Sequence, residues 1–188
     1  MKKNGIYPGT FDPISLGHVD VIRKSLIIVD KLVIGVSEDT SKEHFFDVGE
    51  RVQLVKDCLF KDLSFQKKKI NVVPFNILTI ELCKKHRATI IFRGLRAVSD
   101  FEYEFQLAGM NRKLNKQIET VFLMSDLENQ VIASKFIKEV ASLGGDIKKF
   151  ASKSVINAIN KKLWLDSSLY FFLYYIIIVY SLRKTLWF

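Results

Sequence analysis

Apolar and polar positions along this chain fall into blocks whose period keeps switching. Lys3 to Tyr7 reads as a short strand. After a loop, Val19, Ile22 and Leu26 recur at helical spacing, which predicts a helix from about His18 to Val29, with Ser15 a candidate N-cap. Lys31 to Val36 is a β-branched apolar run and predicts a buried strand. Ser37 to Asp47 is polar and reads as loop. Val48 to Leu59 is a helix with Val52, Val55, Cys58 and Leu59 inward. The same alternation continues with a strand at Ile70–Phe75, a helix at Ile77–His86 and a strand at Thr89–Phe92 that ends in Arg93. Ser99 is expected to cap a helix reaching about Lys113. Glu119–Met124 is a fifth strand, Ser134–Leu143 a helix stopped by Gly144-Gly145, and Lys153–Lys162 a final helix. Five short apolar strands separated by helices predict an α/β fold: a doubly wound, five-stranded parallel sheet covered on both faces.

In such a sheet ligands bind beyond the carboxyl ends of the strands, and the chemistry-bearing residues gather there. The first connection packs two Gly, two Pro, a Thr and a His into Pro8-Gly9-Thr10-Phe11-Asp12-Pro13 and Gly17-His18. Its backbone amides, beside a helix N-terminus, suit an anion. It lacks the Gly-Lys-Ser/Thr of a P-loop and the G-x-G-x-x-G spacing of a dinucleotide site. Thr10, Lys42, Arg93 and the loop after Met124 each follow a strand, so they are expected to meet at one edge. Arg93-Gly94-Leu95-Arg96 offers two guanidinium forks suited to phosphate. In the helix that follows, Phe101, Phe105 and Ala108 share one face and Glu104 lies on another, which predicts an amphipathic helix with an acidic exposed side.

Composition narrows the class. The chain has 188 residues, enough for one domain, and a formal net charge of +9. Its basic residues are scattered; the single run, Lys67-Lys68-Lys69, reads as solvated surface, and no basic stripe with interleaved aromatics argues for nucleic acid. Cys58 and Cys83 lack metal-type spacing and read as buried free thiols. The N-terminus carries no apolar signal region, so a cytoplasmic protein is expected.

Tyr7-Pro8-Gly9-Thr10-Phe11-Asp12-Pro13, Gly17-His18, and Arg93-Gly94-Leu95-Arg96 with Asp100-Phe101-Glu102-Tyr103-Glu104 together resemble the bacterial phosphopantetheine adenylyltransferases, in register from about Lys3 to Lys162. Glu50-Arg51 and Val121-Phe122-Leu123-Met124 fit the same pattern. The Gly-His pair is shared by the wider superfamily with the T/H-x-G-H signature, whereas the Arg-Gly-Leu-Arg and Asp-Phe-Glu-Tyr-Glu blocks are more specific. The resemblance implies a Rossmann-like single domain over residues 1–162 and reversible transfer of an adenylyl group from ATP to 4'-phosphopantetheine with Mg²⁺, giving dephospho-coenzyme A and pyrophosphate. It implies a homohexamer, with no metal-ligating residues of its own. It also implies roles: His18 donates to the α-phosphate, Lys42 bridges the attacking phosphate, and Thr10, Thr79 and Arg93 contact phosphopantetheine. The nucleotide would be met by Thr10, Phe11, His18, Gly94, Leu95, Arg96, Glu104 and the loop Asn129, Gln130, Val131, Ile132, Ala133, Ser134 and Lys135.

The sequence departs from the family at Ala133-Ser134-Lys135, where a run of hydroxyls is usual; two donors are lost and a cation is gained. The alternative reading is therefore a degenerate member that binds nucleotide and turns over weakly or not at all; a sister enzyme with another phosphorylated acceptor is opposed by the Arg93 and Asp100–Glu104 blocks. Residues 163–188 form an atypical apolar tail, 169–182 being apolar all round. Three readings stand for it: a membrane-contacting segment, a packing element at a subunit interface, or a product of a shifted reading frame.

Overall fold

The computed structural model describes residues 2–38, 41, 43–96, 98–126, 128 and 132–164. Five strands form one parallel sheet: β1 (Asn4–Gly9), β2 (Lys31–Ser37), β3 (Ile70–Phe75), β4 (Ile90–Leu95) and β5 (Glu119–Met124), in the order β3-β2-β1-β4-β5. The helices are α1 (Leu16–Ile28), α2 (Val48–Asp57), α3 (Thr79–His86), α4 (Val98–Leu114), α5 (Ser134–Ser142) and α6, described over residues 153–164. A π-turn at Cys58–Asp62 prolongs α2, and Lys67–Lys69 make one exposed 3₁₀ turn before β3.

The sheet separates two apolar layers. On one side α1, α2, α5 and α6 supply Val19, Ile22, Val55, Ile137, Val155 and Ile159. On the other, Ile80, Leu82 and Cys83 of α3 pack on Ile6, Val33 and Ile91. Both cysteines are buried and free, and burial pushes their thiols up, to about 11 for Cys58 and about 12 for Cys83. α6 is pinned to the entry of α2: Lys162 pairs with Glu50 at 2.9 Å and lies 5.1 Å from the centre of the Phe46 ring.

The strand order reverses at β1, with β2 and β3 on one side and β4 and β5 on the other. β1 pairs with β2 along its whole length, Asn4 through Gly9. With β4 it pairs only through Gly5 and Ile6, opposite Ile90 and Ile91. Beyond Ile91 the two strands part while β4 stays hydrogen-bonded to β5 as far as Leu95. A cleft therefore opens at the topological switch point, where such sheets take their ligands.

Three expectations are corrected. β4 extends through Arg93, Gly94 and Leu95, so Arg93 stands within the strand; its pairing with β5 continues where hydropathy breaks. Ser99 falls inside α4, which begins at Val98; it is the Asp100 carboxylate that accepts from the Arg96 amide, at 3.3 Å. The faces of α4 are reversed: Phe105 is 62% exposed and Phe101 is also exposed, whereas Glu104 is only 9% exposed. Residues 165–188, most of the apolar tail, lie outside the described residues.

Candidate active site

The cleft is a cavity of about 540 Å³ lined by residues of the β1–α1 loop, β4, α4 and the start of α5. Its shape begins with a strained turn. After Gly9 the chain passes Thr10 and enters Phe11 at φ 50°, the left-handed region that non-glycine residues seldom occupy. The Phe11 ring is buried edge-on against Tyr7 at 5.4 Å between centroids and beside His18 at 5.0 Å. That packing anchors the turn and leaves Thr10 exposed at the cavity wall.

Ser15 caps α1 and His18 answers it. The His18 amide donates to Ser15 Oγ at 3.3 Å, and the Ser15 amide donates to His18 Nδ1 at 3.0 Å. This is a capping box in which an imidazole replaces the usual Glu or Gln. Because Nδ1 accepts, the ring proton sits on Nε2. Burial, followed by the charges of Arg96 and Arg93, holds the imidazole down at about 4. At neutral pH His18 is therefore an uncharged donor in the wall of a basic cavity.

Arg93 reaches across the gap between β4 and β1. Its Nη1 donates to the Pro8 carbonyl at 2.7 Å, its Nε to Glu104 Oε2 at 2.7 Å, and its Nη2 to Glu104 Oε1. Burial opposes the Arg93 charge, but the Glu104 carboxylate outweighs it and raises the guanidinium further above its ordinary range. Gly94 follows because nothing larger fits: a Cβ there would stand 2.8 Å from Val21 Cγ2 of α1. Arg96, exposed at the rim, is braced by Asp100 at 3.3 Å.

Of the residues expected from sequence, Thr10, Phe11, His18, Arg93, Gly94, Arg96, Glu104, Ile132, Ala133, Ser134 and Lys135 all line this one cavity. Leu95 does not; its side chain is buried in the sheet. Thr79 heads α3 and lines a small adjoining crevice with Pro8, Arg93 and Glu104. Lys42, Asn129, Gln130 and Val131 lie outside the described residues. Ser134 spends its hydroxyl inside the protein, donating to the Pro13 carbonyl at 2.7 Å and tying α5 to the first loop.

Three residues given no role from sequence organise the site. The buried Asp12 carboxylate accepts from the amides of Phe45 and Phe46, each at 2.9 Å, and from Lys138 Nζ at 2.8 Å. Burial alone would raise its pKa; those partners overcome it and hold the carboxyl below its usual range. Arg51 is buried behind Thr10 and donates to the carbonyls of Thr10, Ser37 and Phe46 at 2.8, 2.7 and 3.1 Å. Asp12 and Lys138 stand 126 residues apart, so no local signal links them; Arg51 has no local mark of burial, and only the Glu50-Arg51 match to the family pattern points to it.

A parallel sheet cleft holding a neutral imidazole donor among arginines defines a nucleotidyltransferase-type site, and the family model described as cytidylyltransferase-like matches residues 6–140. Among solved structures, a Plasmodium falciparum nicotinic acid mononucleotide adenylyltransferase complexed with APC shares the fold, with a TM-score of 0.65 and 18% identity, over 86% of this chain and 96% of that one. A phosphopantetheine adenylyltransferase of Pelagibacter ubique is 61% identical over 162 residues, 86% of this chain and 99% of the relative. Those of Sphingopyxis alaskensis and Paracoccus denitrificans are each 50% identical over 155 residues, covering 82% of this chain and 90% and 94% of theirs. The chain belongs to the phosphopantetheine adenylyltransferase family.

Proposed function

We propose that this chain transfers the adenylyl group of ATP to 4'-phosphopantetheine, reversibly, giving dephospho-coenzyme A and pyrophosphate in coenzyme A biosynthesis. One observation carries the reaction type: His18 is held as a neutral Nε2–H donor in the cavity that also receives Arg93 and Arg96. In-line attack by the acceptor's own phosphate forms a bond to the α-phosphorus as the bond to pyrophosphate breaks. Such a step needs orientation and charge stabilisation rather than an enzyme nucleophile. The acceptor's identity is supported by the 61% identical relative, matched over 99% of its length.

In this reading Arg93, Thr10 and Lys42 hold the acceptor phosphate, and the crevice at Thr79 takes the start of its arm. The Thr10 and Phe11 backbone, His18, Gly94, Arg96 and residues 129–135 face the nucleotide, with Leu95 supporting them from the sheet. Glu104 acts through Arg93. Mg²⁺ enters with ATP. Of the cavity carboxylates, Asp12 is engaged by Lys138 and Glu104 by Arg93, and no cluster of three metal-ligating side chains occurs among the described residues. Bound with the nucleotide, the ion would supply positive charge to balance that of the departing pyrophosphate.

A second copy of this chain is the proposed occupant of the outer face of α4, within a hexamer. Tyr103, Met110 and Leu114, which share that face, are 66%, 60% and 57% exposed, a larger apolar face than a lone helix on a solvated surface needs. Among the described residues no helix is long and apolar enough to cross a membrane, and we place the enzyme in the cytoplasm with its substrates. Residues 1–162 form the catalytic domain and 163–188 an extension outside the chemistry.

The test is pyrophosphate release from ATP and 4'-phosphopantetheine with Mg²⁺, run on the full chain and on one stopped after Trp164, with His18→Ala as control. Turnover by both chains and loss in the variant are expected. ATP binding without release would instead identify a degenerate nucleotide binder.

A further inference from the structure

We propose that Arg51 is a positioning residue for the acceptor side of this site; the inference rests on the adenylyl-transfer reading above. Its side chain is 2% exposed. A buried guanidinium normally meets a carboxylate, because an uncompensated charge in the interior is costly. Among the described residues Arg51 makes no such ion pair: its partners are three backbone carbonyls, and burial lowers its pKa against the weaker pull of Asp12, Asp47 and Glu38. Those carbonyls come from three places. Thr10 belongs to the β1–α1 turn, Ser37 ends β2, and Phe46 precedes Asp47, the N-cap of α2.

The connection from β2 to α2 leaves the sheet at Ser37 and rejoins the fold at Phe46. One guanidinium therefore holds both roots of that loop and fastens them to the carbonyl of Thr10. The far root is gripped twice: Arg51 Nε takes the Phe46 carbonyl, while Asp12 takes the Phe45 and Phe46 amides. Within this span lie Lys42, assigned above to the acceptor phosphate, and Glu43 and His44, which line the cavity. On the nucleotide side Arg51 meets the Thr10 carbonyl alone; neither Arg96 nor the start of α5 hydrogen-bonds to it. The planar fork is what allows this. It aims donors in several fixed directions, whereas an ammonium is a single point on a flexible stem.

Arg51→Lys separates this role from a merely structural one, because it keeps the charge and loses the fork. Displacing a substrate-positioning segment by about 1 Å costs on the order of 100-fold. The expected result is a rise of roughly 10- to 100-fold in KM over kcat for 4'-phosphopantetheine, with the dissociation constant for ATP, measured calorimetrically, held within about twofold. Arg51→Gln, which removes the charge, is expected to show the same split. Equal weakening toward both substrates, no effect on either, or failure of both variants to fold overturns the proposal. Wild-type turnover is measured alongside: if the wild type itself does not use 4'-phosphopantetheine, it is the functional reading that fails, and a shifted ATP affinity in Arg51→Lys still refutes the confinement of Arg51 to the acceptor side.

Discussion

Protonating His18 should cost the protein stability, and the amount follows from its surroundings. The unfolded chain carries an ordinary imidazole near 6.5, while in the fold burial and the Arg96 and Arg93 charges bring it to about 4. Between those values the unfolded state binds the proton and the folded state does not. The stabilisation is therefore complete above pH 6.5 and is lost as pH falls toward 4. A tenfold change in proton affinity corresponds to about 1.4 kcal/mol, so the whole window is worth up to about 3 kcal/mol. Other groups titrate in the same range, and His18→Gln removes this contribution alone. Urea unfolding of both proteins across the window should show the wild type losing up to about 3 kcal/mol more than the variant. The imidazole carbon-bound proton resonances report the same event directly; there are three histidines, and the signal missing in the variant is that of His18. A His18 signal that titrates at 6.5 or above, with parallel stability curves, would show that the ring is charged in the resting site and would sink the neutral-donor account.

Two further substitutions probe the other supports. Glu104→Gln leaves Arg93 a neutral partner for a charge-assisted, two-bond contact and should destabilise the fold by about 2 kcal/mol in denaturant titration; KM for the acceptor should rise well beyond KM for ATP, and equal changes would refute the assignment of Arg93. Ala133 occupies the N-cap of α5 in an extended conformation without a side-chain cap. Ala133→Ser should add about 1 kcal/mol, read as a higher Tm, and bring a hydroxyl into the cavity wall that lowers KM for ATP.

The central strand Lys31–Val36 is legible because burial writes a continuous apolar run, and it gains only Ser37. The edge strands Ile70–Phe75 and Glu119–Met124, though only partly buried, carry enough apolar and β-branched residues to stand where the sequence puts them. β4 was read short because Arg93 and Gly94 interrupt the hydropathy, although backbone pairing to β5 ignores side-chain polarity and continues to Leu95. The helix after it was read inside out. Aromatic spacing put Phe101 and Phe105 inward, but Glu104 belongs inside because Arg93, on a different element and held by the Pro8 carbonyl, meets it there with Nε and Nη2. That is a tertiary fact with no local signature. His18 shows a middle case. Ser15 was legible as a cap, and the three-residue spacing to His18 carried the box that sets its tautomer, disguised because an imidazole stands where a carboxylate or amide usually does.

The way Arg93 is held bears on how the site treats a phosphate. A guanidinium has five N–H donors. Nε and one hydrogen each of Nη1 and Nη2 are committed to Glu104 and the Pro8 carbonyl, which leaves two, one on each terminal nitrogen. A planar guanidinium with free donors on both terminal nitrogens can meet phosphate oxygens with directed hydrogen bonds. Glu104 thus does more than balance a charge: together with Pro8 it fixes that plane before substrate arrives, so the ordering is done during folding and is not charged to binding. Lys24 plays the same part for the segment leading to residues 127–131, bridging Asp20, Asp126 and the Met124 carbonyl at 2.9, 2.7 and 2.7 Å. Around the cavity, Asp12, Ser15, Arg51, Glu104 and Ser134 are tied into the protein, while Thr10, His18, Arg96 and Lys135 line its open face. A transfer without a covalent intermediate depends on this division, since its rate comes from groups that need not move when charge develops.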